Sequence, residues 1–283
     1  MPWGRAPVQS TVQMTQAAFF DLDKTVIAKS STLAFTGKLY KAGMLGRRTL
    51  VRAAIGQLMY VIFGADEDQL ERAREAMLQL TKGWDQNEIE KLVSEALEEV
   101  VAPLVYAEAL FLIDEHTREG REVYIVSASP EEVVRPLARY IGVDNIIATR
   151  TKVDEEGRYT GEVELYAYGP DKAMAVRDLA AEKGIALTES YAYSDSITDQ
   201  PLLELVGHPV VVNPDKELRD LAEEREWPIL DFKREVSLSE RLTQPVPLIS
   251  GATVATAIGA AVAWMLIRRK KAEQKGFVRS LFD

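Results

Sequence analysis

The chain has 283 residues, enough for one well-buried domain or two modest ones, so its size calls for no metal or disulfide staple. It has no cysteine, which excludes disulfides, thiol nucleophiles and thiolate metal sites, and its two histidines, His116 and His208, nearly exclude histidine chemistry. With 34 basic and 44 acidic residues the formal charge is −10, which argues against non-specific nucleic-acid binding.

Residues 1–16 are polar, carry Pro2, Gly4 and Pro7, lack the basic-then-apolar layout of a secretory signal, and read as a loose tail. Ala17 to Leu22 is a short apolar run ending in charge, which predicts a buried strand delivering Asp21 and Asp23 to its carboxyl end. Over 31–110 the apolar spacing becomes helical, with Leu70, Ala73, Met77 and Leu80 followed by Ile89, Leu92, Val93 and Leu97, which marks a helical insertion. Between Lys24 and Ala65 there are seven basic residues and no acidic one. Two readings stand for this stretch: a solvated helix face, or Lys38, Lys41, Arg47, Arg48 and Arg52 meeting anionic headgroups or a second substrate anion.

Strand-like runs return at Val123–Val126, Ile146–Thr149, Tyr191–Tyr193 and Val210–Val212, separated by helical stretches. That alternation predicts an α/β fold, a mainly parallel Rossmann-like sheet covered on both faces, built from 17–30 and 111–232. Glu155-Glu156-Gly157, between strand-like flanks from Val153 to Val163, reads as a hairpin. A linker is expected at 233–244.

Pro245 to Ile267 is 23 residues without a charge, long enough for a C-terminal hydrophobic helix crossing a bilayer. Gly251, Ala255, Gly259 and Ala263 form a small-residue stripe, and Trp264 with Arg268-Arg269-Lys270-Lys271 suits an interface anchor, ahead of a basic tail at 268–283. The alternatives are a helix lying in the interface or packing on the domain or a partner. With no export signal, the expected location is membrane-associated with the catalytic domain in the cytoplasm. A basic tail outside would go against the positive-inside tendency, so its orientation stays open.

The chemistry concentrates at the strand ends. Ionised Asp21 can attack phosphorus and Asp23 can serve as general acid and base. Two close carboxylates and an incoming phosphate need cations, which Lys172 and a metal would supply. Asp195 and Asp199, in Tyr193-Ser194-Asp195-Ser196-Ile197-Thr198-Asp199, stand at i,i+4 spacing after the fourth strand-like run. An oxygen-only site beside phosphate favours magnesium. Ser127, in Tyr124-Ile125-Val126-Ser127-Ala128-Ser129-Pro130, can hold a phosphoryl oxygen together with backbone N–H groups at the start of the next helix. Taken singly these residues have plainer roles: a helix N-cap for Ser127, a surface lysine at a helix start for Lys172, a cap or salt bridge for Asp199.

Asp21-Leu22-Asp23-Lys24-Thr25, Ser127, Lys172 and Asp195-Ser196-Ile197-Thr198-Asp199 resemble, in order, the four motifs of the haloacid dehalogenase (HAD) superfamily. The helical insertion at 31–110 resembles the type I cap of subclass IB, the group that contains phosphoserine phosphatase. The resemblance implies a magnesium-dependent phosphomonoester hydrolase with an aspartyl-phosphate at Asp21. It implies Asp23 as acid/base, Ser127, Ala128 and Lys172 around the phosphate, and magnesium on Asp21, Asp195 and the Asp23 carbonyl, supported by Thr25 and Asp199. Phosphoserine phosphatases place a substrate-reading glutamate where this chain has Ser30, and usually read Asn-Asp where it has Thr198-Asp199. The expected substrate is a small phosphorylated metabolite, phosphoserine-like, or a phospholipid headgroup. A phosphotransferase to an alcohol and a catalytically silent membrane scaffold are the competing expectations.

Overall fold

The computed structural model describes residues 15–46 and 67–233. The segment 245–267, the basic tail and Arg47, Arg48 and Arg52 lie outside those residues. Among the described residues no helix is long and apolar enough to cross a membrane.

Seven strands form one sheet: β1 Ala17–Asp21, β2 Glu122–Pro130, β3 Asn145–Val153, β4 Tyr159–Leu165, β5 Tyr191–Ser194, β6 His208–Val212 and β7 Ile229–Leu230. Their spatial order is β4-β3-β2-β1-β5-β6-β7, parallel throughout except for β4, which runs antiparallel to β3. β1 is central because its sequence permits nothing else: Ala17, Ala18, Phe19 and Phe20 are fully buried, covered on both faces. The chain first builds outward from β1 through β2, β3 and β4, then returns to the other side at β5. The carboxyl ends of β1 and β5 therefore flank a topological switch point, where open α/β sheets bind ligands.

Eight α-helices are described: α1 Ser31–Lys41, α2 Glu67–Thr81, α3 Gln86–Val100, α4 Ala107–Arg118, α5 Glu131–Tyr140, α6 Gly169–Lys183, α7 Gln200–Leu205 and α8 Lys216–Glu224. Phe19, Tyr124, Val126, Ala192 and Val211 face a core closed by Val176 and Ala180 of α6, Leu202 and Leu203 of α7, and Leu218 and Ala222 of α8. Each fully buried large side chain of this kind contributes about 1.5–3 kcal/mol. The opposite face carries α4 and α5, with Phe20 meeting His116 edge-on. Helices α1, α2 and α3 come from the insertion between β1 and β2. Lys38 of α1 pairs with Glu99 of α3, so this member of the basic stretch already has an acidic neighbour.

The expected hairpin spans β3 and β4, with Asp154 Oδ1 accepting from the N–H groups of Glu156 and Arg158 at 3.1 and 2.8 Å, and with Gly157 at φ 77°. Strand β2 departs from regular pairing with β3 between Ser127, opposite Ala148, and Pro130, opposite Thr149. This bulge falls at the carboxyl end of the sheet, and it is held by Thr149 Oγ1 donating to the Ala128 carbonyl at 2.7 Å.

Candidate active site

Four chain segments meet at the ends of β1, β2 and β5. Asp21 closes β1, Asp195 follows β5, Lys172 comes from the first turn of α6, and Asp199 ends the 3₁₀ turn Ile197–Asp199. Lys172 is 2% exposed, and its Nζ donates to Asp21 Oδ1 at 2.6 Å and to Asp199 Oδ2 at 2.7 Å. Asp199 Oδ2 also accepts from Ser194 Oγ at 2.7 Å. The surface-lysine reading of Lys172 is thereby corrected, because α6 starts at Gly169 with φ 54° and packs its first turn inward against the strand ends. Asp199 likewise makes no side-chain cap bond to α7 but serves this ion cluster.

Charge balance explains the proton affinities. Burial alone would favour neutral Lys172, but the carboxylates of Asp199 and Asp21 outweigh it and hold the ammonium above its ordinary range. Asp21 is pushed well up by burial; Lys172 opposes this, while Asp199, Asp195 and Asp23 add to it. Asp195 is pushed up to about 7 by burial first, tempered by Lys24, whose Nζ lies 4.0 Å from Asp195 Oδ2.

Ser127 is 1% exposed and its Oγ accepts from the Ser129 N–H at 3.1 Å. It does not cap α5, whose N-cap residue is Pro130, with no side-chain bond. Ala128 is exposed between two buried serines, with its carbonyl taken by Thr149. Thr25 is fully buried, and its Oγ1 has no hydrogen-bond partner among the described residues. The Asp23 carboxylate is turned toward α1: Oδ1 accepts from the Ser31 N–H at 2.7 Å and Oδ2 from Ser129 Oγ at 3.0 Å. Ser31, Ser129, Ser194 and Lys24 are participants that had no expected role. Only Ser194 and Lys24 carried a sequence signal, as neighbours of predicted carboxylates.

The donor set fits a hard divalent cation. Buried Asp21 and Asp195 offer oxygen alone, and burial first, with neighbouring carboxylates second, raises their proton affinity, which a bound cation would offset. Among the described residues no group of three or more His, Cys, Asp or Glu side chains could hold a metal. Two carboxylates, a backbone carbonyl and solvent or substrate oxygens would suffice for magnesium. His116 is buried at 4% exposure and His208 is exposed.

A family model described as haloacid dehalogenase-like hydrolase matches residues 18–204, from the strand that ends in Asp21 to beyond Asp199. The chain belongs to this family. A Mycobacterium tuberculosis member named "probable phosphatase" is 48% identical over 272 residues, covering 95% of this chain and 93% of its own. Another protein of that organism, named phosphoserine phosphatase, is 33% identical over 266 residues, covering 93% and 83% respectively. A solved structure of a Bordetella pertussis protein, titled as of unknown function, superposes with a TM-score of 0.68 at 31% identity, covering 77% of this chain and 99% of its own.

Proposed function

We propose that this HAD-type phosphatase hydrolyses a small phosphomonoester in two displacements at Asp21. The observation that carries the reading is the buried ammonium of Lys172 between Asp21 and Asp199. A lysine kept charged inside the protein holds Asp21 in place and leaves positive charge where phosphoryl oxygens would arrive. In the first displacement Asp21 forms a bond to phosphorus as the bond to the leaving oxygen breaks, and Asp23 gives that oxygen a proton. In the second, Asp23 takes a proton from water, whose oxygen attacks the phosphorus and frees Asp21 with inorganic phosphate. Ser127 Oγ and the Ala128 backbone, at the bulged carboxyl end of β2 just ahead of α5, hold phosphoryl oxygens. Asp21, Asp195 and the Asp23 carbonyl would hold magnesium. When bound, the ion supplies charge neutralisation and Lewis-acid polarisation of phosphate.

Support for a phosphoserine-like substrate comes from the relative that bears that name. The Ser30 hydroxyl can accept from an ammonium but lacks the negative charge of a carboxylate, which favours small phosphomonoesters that differ from phosphoserine there or use other contacts. The test is phosphate release from a panel of phosphomonoesters by the full chain with magnesium, beside the Asp21→Asn variant. Turnover should fall on the order of 10³-fold or more in the variant, and chelation should abolish it in the parent. Equal release by the two proteins would remove Asp21 from the chemistry.

A further inference from the structure

A second buried polar group sits beside the ion cluster and is not used by the displacements above. Ser129 Oγ donates to Asp23 Oδ2 at 3.0 Å, accepts from Ser31 Oγ at 2.9 Å and lies 3.2 Å from Thr32 Oγ1. The Ser31 backbone N–H donates to the other carboxylate oxygen, Asp23 Oδ1, at 2.7 Å. Ser31 is fully buried and Ser129 is 6% exposed. Both oxygens of Asp23 are thus gripped from two directions, one by the first residue of α1 and the other by a hydroxyl on the bulged end of β2. A carboxylate held at one oxygen can swing about its last torsion; held at both, it cannot.

The placement of Ser129 depends on the bulge. The register jumps from Ser127 opposite Ala148 to Pro130 opposite Thr149, and the chain between them buries both Ser127 and Ser129. Ser127 Oγ accepts from the Ser129 N–H at 3.1 Å, so the serine assigned to the phosphate under the proposed function also sets the backbone of the serine that grips Asp23.

We propose that Ser129, backed by Ser31, is a positioning residue that fixes the Asp23 carboxyl group for proton transfer at the leaving oxygen. The inference rests on Asp23 being the acid/base of the proposed reaction. Proton transfer requires heavy atoms within about 3 Å in line, and a misplacement of about 1 Å can cost on the order of 10²-fold in rate. A cluster that merely tied α1 to β2 would affect stability without caring which leaving group departs.

That difference supplies the test. An alkoxide is too basic to leave unprotonated and needs the acid, whereas nitrophenolate leaves without it. The full chain and its Ser129→Ala and Ser31→Ala variants are compared with magnesium present. The quantity read is kcat/KM for the best-cleaved alkyl phosphomonoester divided by that for p-nitrophenyl phosphate. Because both substrates are assayed on one preparation, any unfolded fraction cancels in the ratio. Ser129→Ala should lower the ratio by about 10-fold or more, and Ser31→Ala should lower it in the same direction by less. An unchanged ratio in Ser129→Ala, whether activity is kept or lost equally on both substrates, overturns the proposal. If the parent chain releases no phosphate, or Asp21→Asn matches it, the proposed function itself has failed. If those controls behave and the ratio alone stays fixed, only the role of Ser129 is lost.

Discussion

Lys24 takes a backbone φ of 62°, in the left-handed region that side chains disfavour. Two hydrogen bonds force it there: the N–H groups of Val26 and Ile27 both donate to the Leu22 carbonyl, at 2.9 and 3.0 Å. This turn takes the chain away from β1 directly after Asp21 and Asp23. The conformation costs a residue with a Cβ about 1–2 kcal/mol, of which glycine would recover part after its own entropic loss. The side chain offers little in return to stability, since it is 70% exposed and its ammonium lies 4.0 Å from Asp195. Lys24→Gly should therefore raise the melting temperature by about 1–3 °C, read by thermal unfolding. A lower melting temperature would mean that pairing with Asp195 outweighs the strain.

Helix α3 begins with a well-formed cap. Asp85 Oδ1 accepts from the N–H groups of Asn87 and Glu88 at 2.9 and 3.2 Å, satisfying donors that have no partner inside the helix. The same end is tied to the rest of the molecule, because Gln86 donates its N–H to the Gly157 carbonyl at 3.0 Å and its side-chain amide to Glu132 at 2.8 Å. Asp85→Ala should cost about 1 kcal/mol, seen as a lower urea midpoint with an unchanged slope. A fall in slope instead would indicate that the helix end unfolds separately from the sheet. At this scale the bulge in β2 matters as much as any helix, since it decides which hydroxyls reach the carboxylates.

Across the whole molecule, His116 ties α4 to the two strands beneath it, β1 and β5. Arg121 Nη1 lies 2.8 Å from His116 Nδ1, and a guanidinium can only donate, so Nδ1 accepts and the ring proton sits on Nε2, which donates to Tyr193 Oη at 2.8 Å. Tyr193 in turn stacks on Phe20 at 4.3 Å, two residues from Asp195 along β5 and next to Asp21 along β1. Burial first, and the Arg121 charge second, lower the His116 pKa to about 4 from an ordinary 6.5. Below pH 6.5 the unfolded chain takes up a proton that the folded chain resists until about pH 4. The stabilisation from neutral His116 is thus complete above that window and is lost as the pH falls through it, by on the order of 3 kcal/mol. Urea unfolding between pH 7.5 and 4.5 should show this loss, and His116→Gln should flatten it relative to the parent. Equal slopes in the two proteins would mean that other groups carry the acid sensitivity.

The position of β1 was legible because a strand buried on both faces reads as an unbroken apolar run, and Ala17 to Phe20 is one. The helical insertion and the β3–β4 hairpin were legible for the same local reason, periodicity and turn residues. Lys172 was legible only through its place among the four ordered motifs: nothing in Gly169-Pro170-Asp171-Lys172 by itself distinguishes it from a lysine on any exposed helix start, and its burial between Asp21 and Asp199 is a tertiary fact. Ser31 and Ser129 were legible least of all, being 98 positions apart with no motif joining them. Local rules follow the chain over a turn or a strand, so the sequence alone determined the order of elements and the supply of carboxylates, serines and lysines. Hydrogen bonds act over about 3 Å. Only the sheet order, the bulge and the inward first turn of α6 decided that Asp21 meets Lys172 and Asp23 meets Ser129, because those contacts are set by how distant segments are stacked.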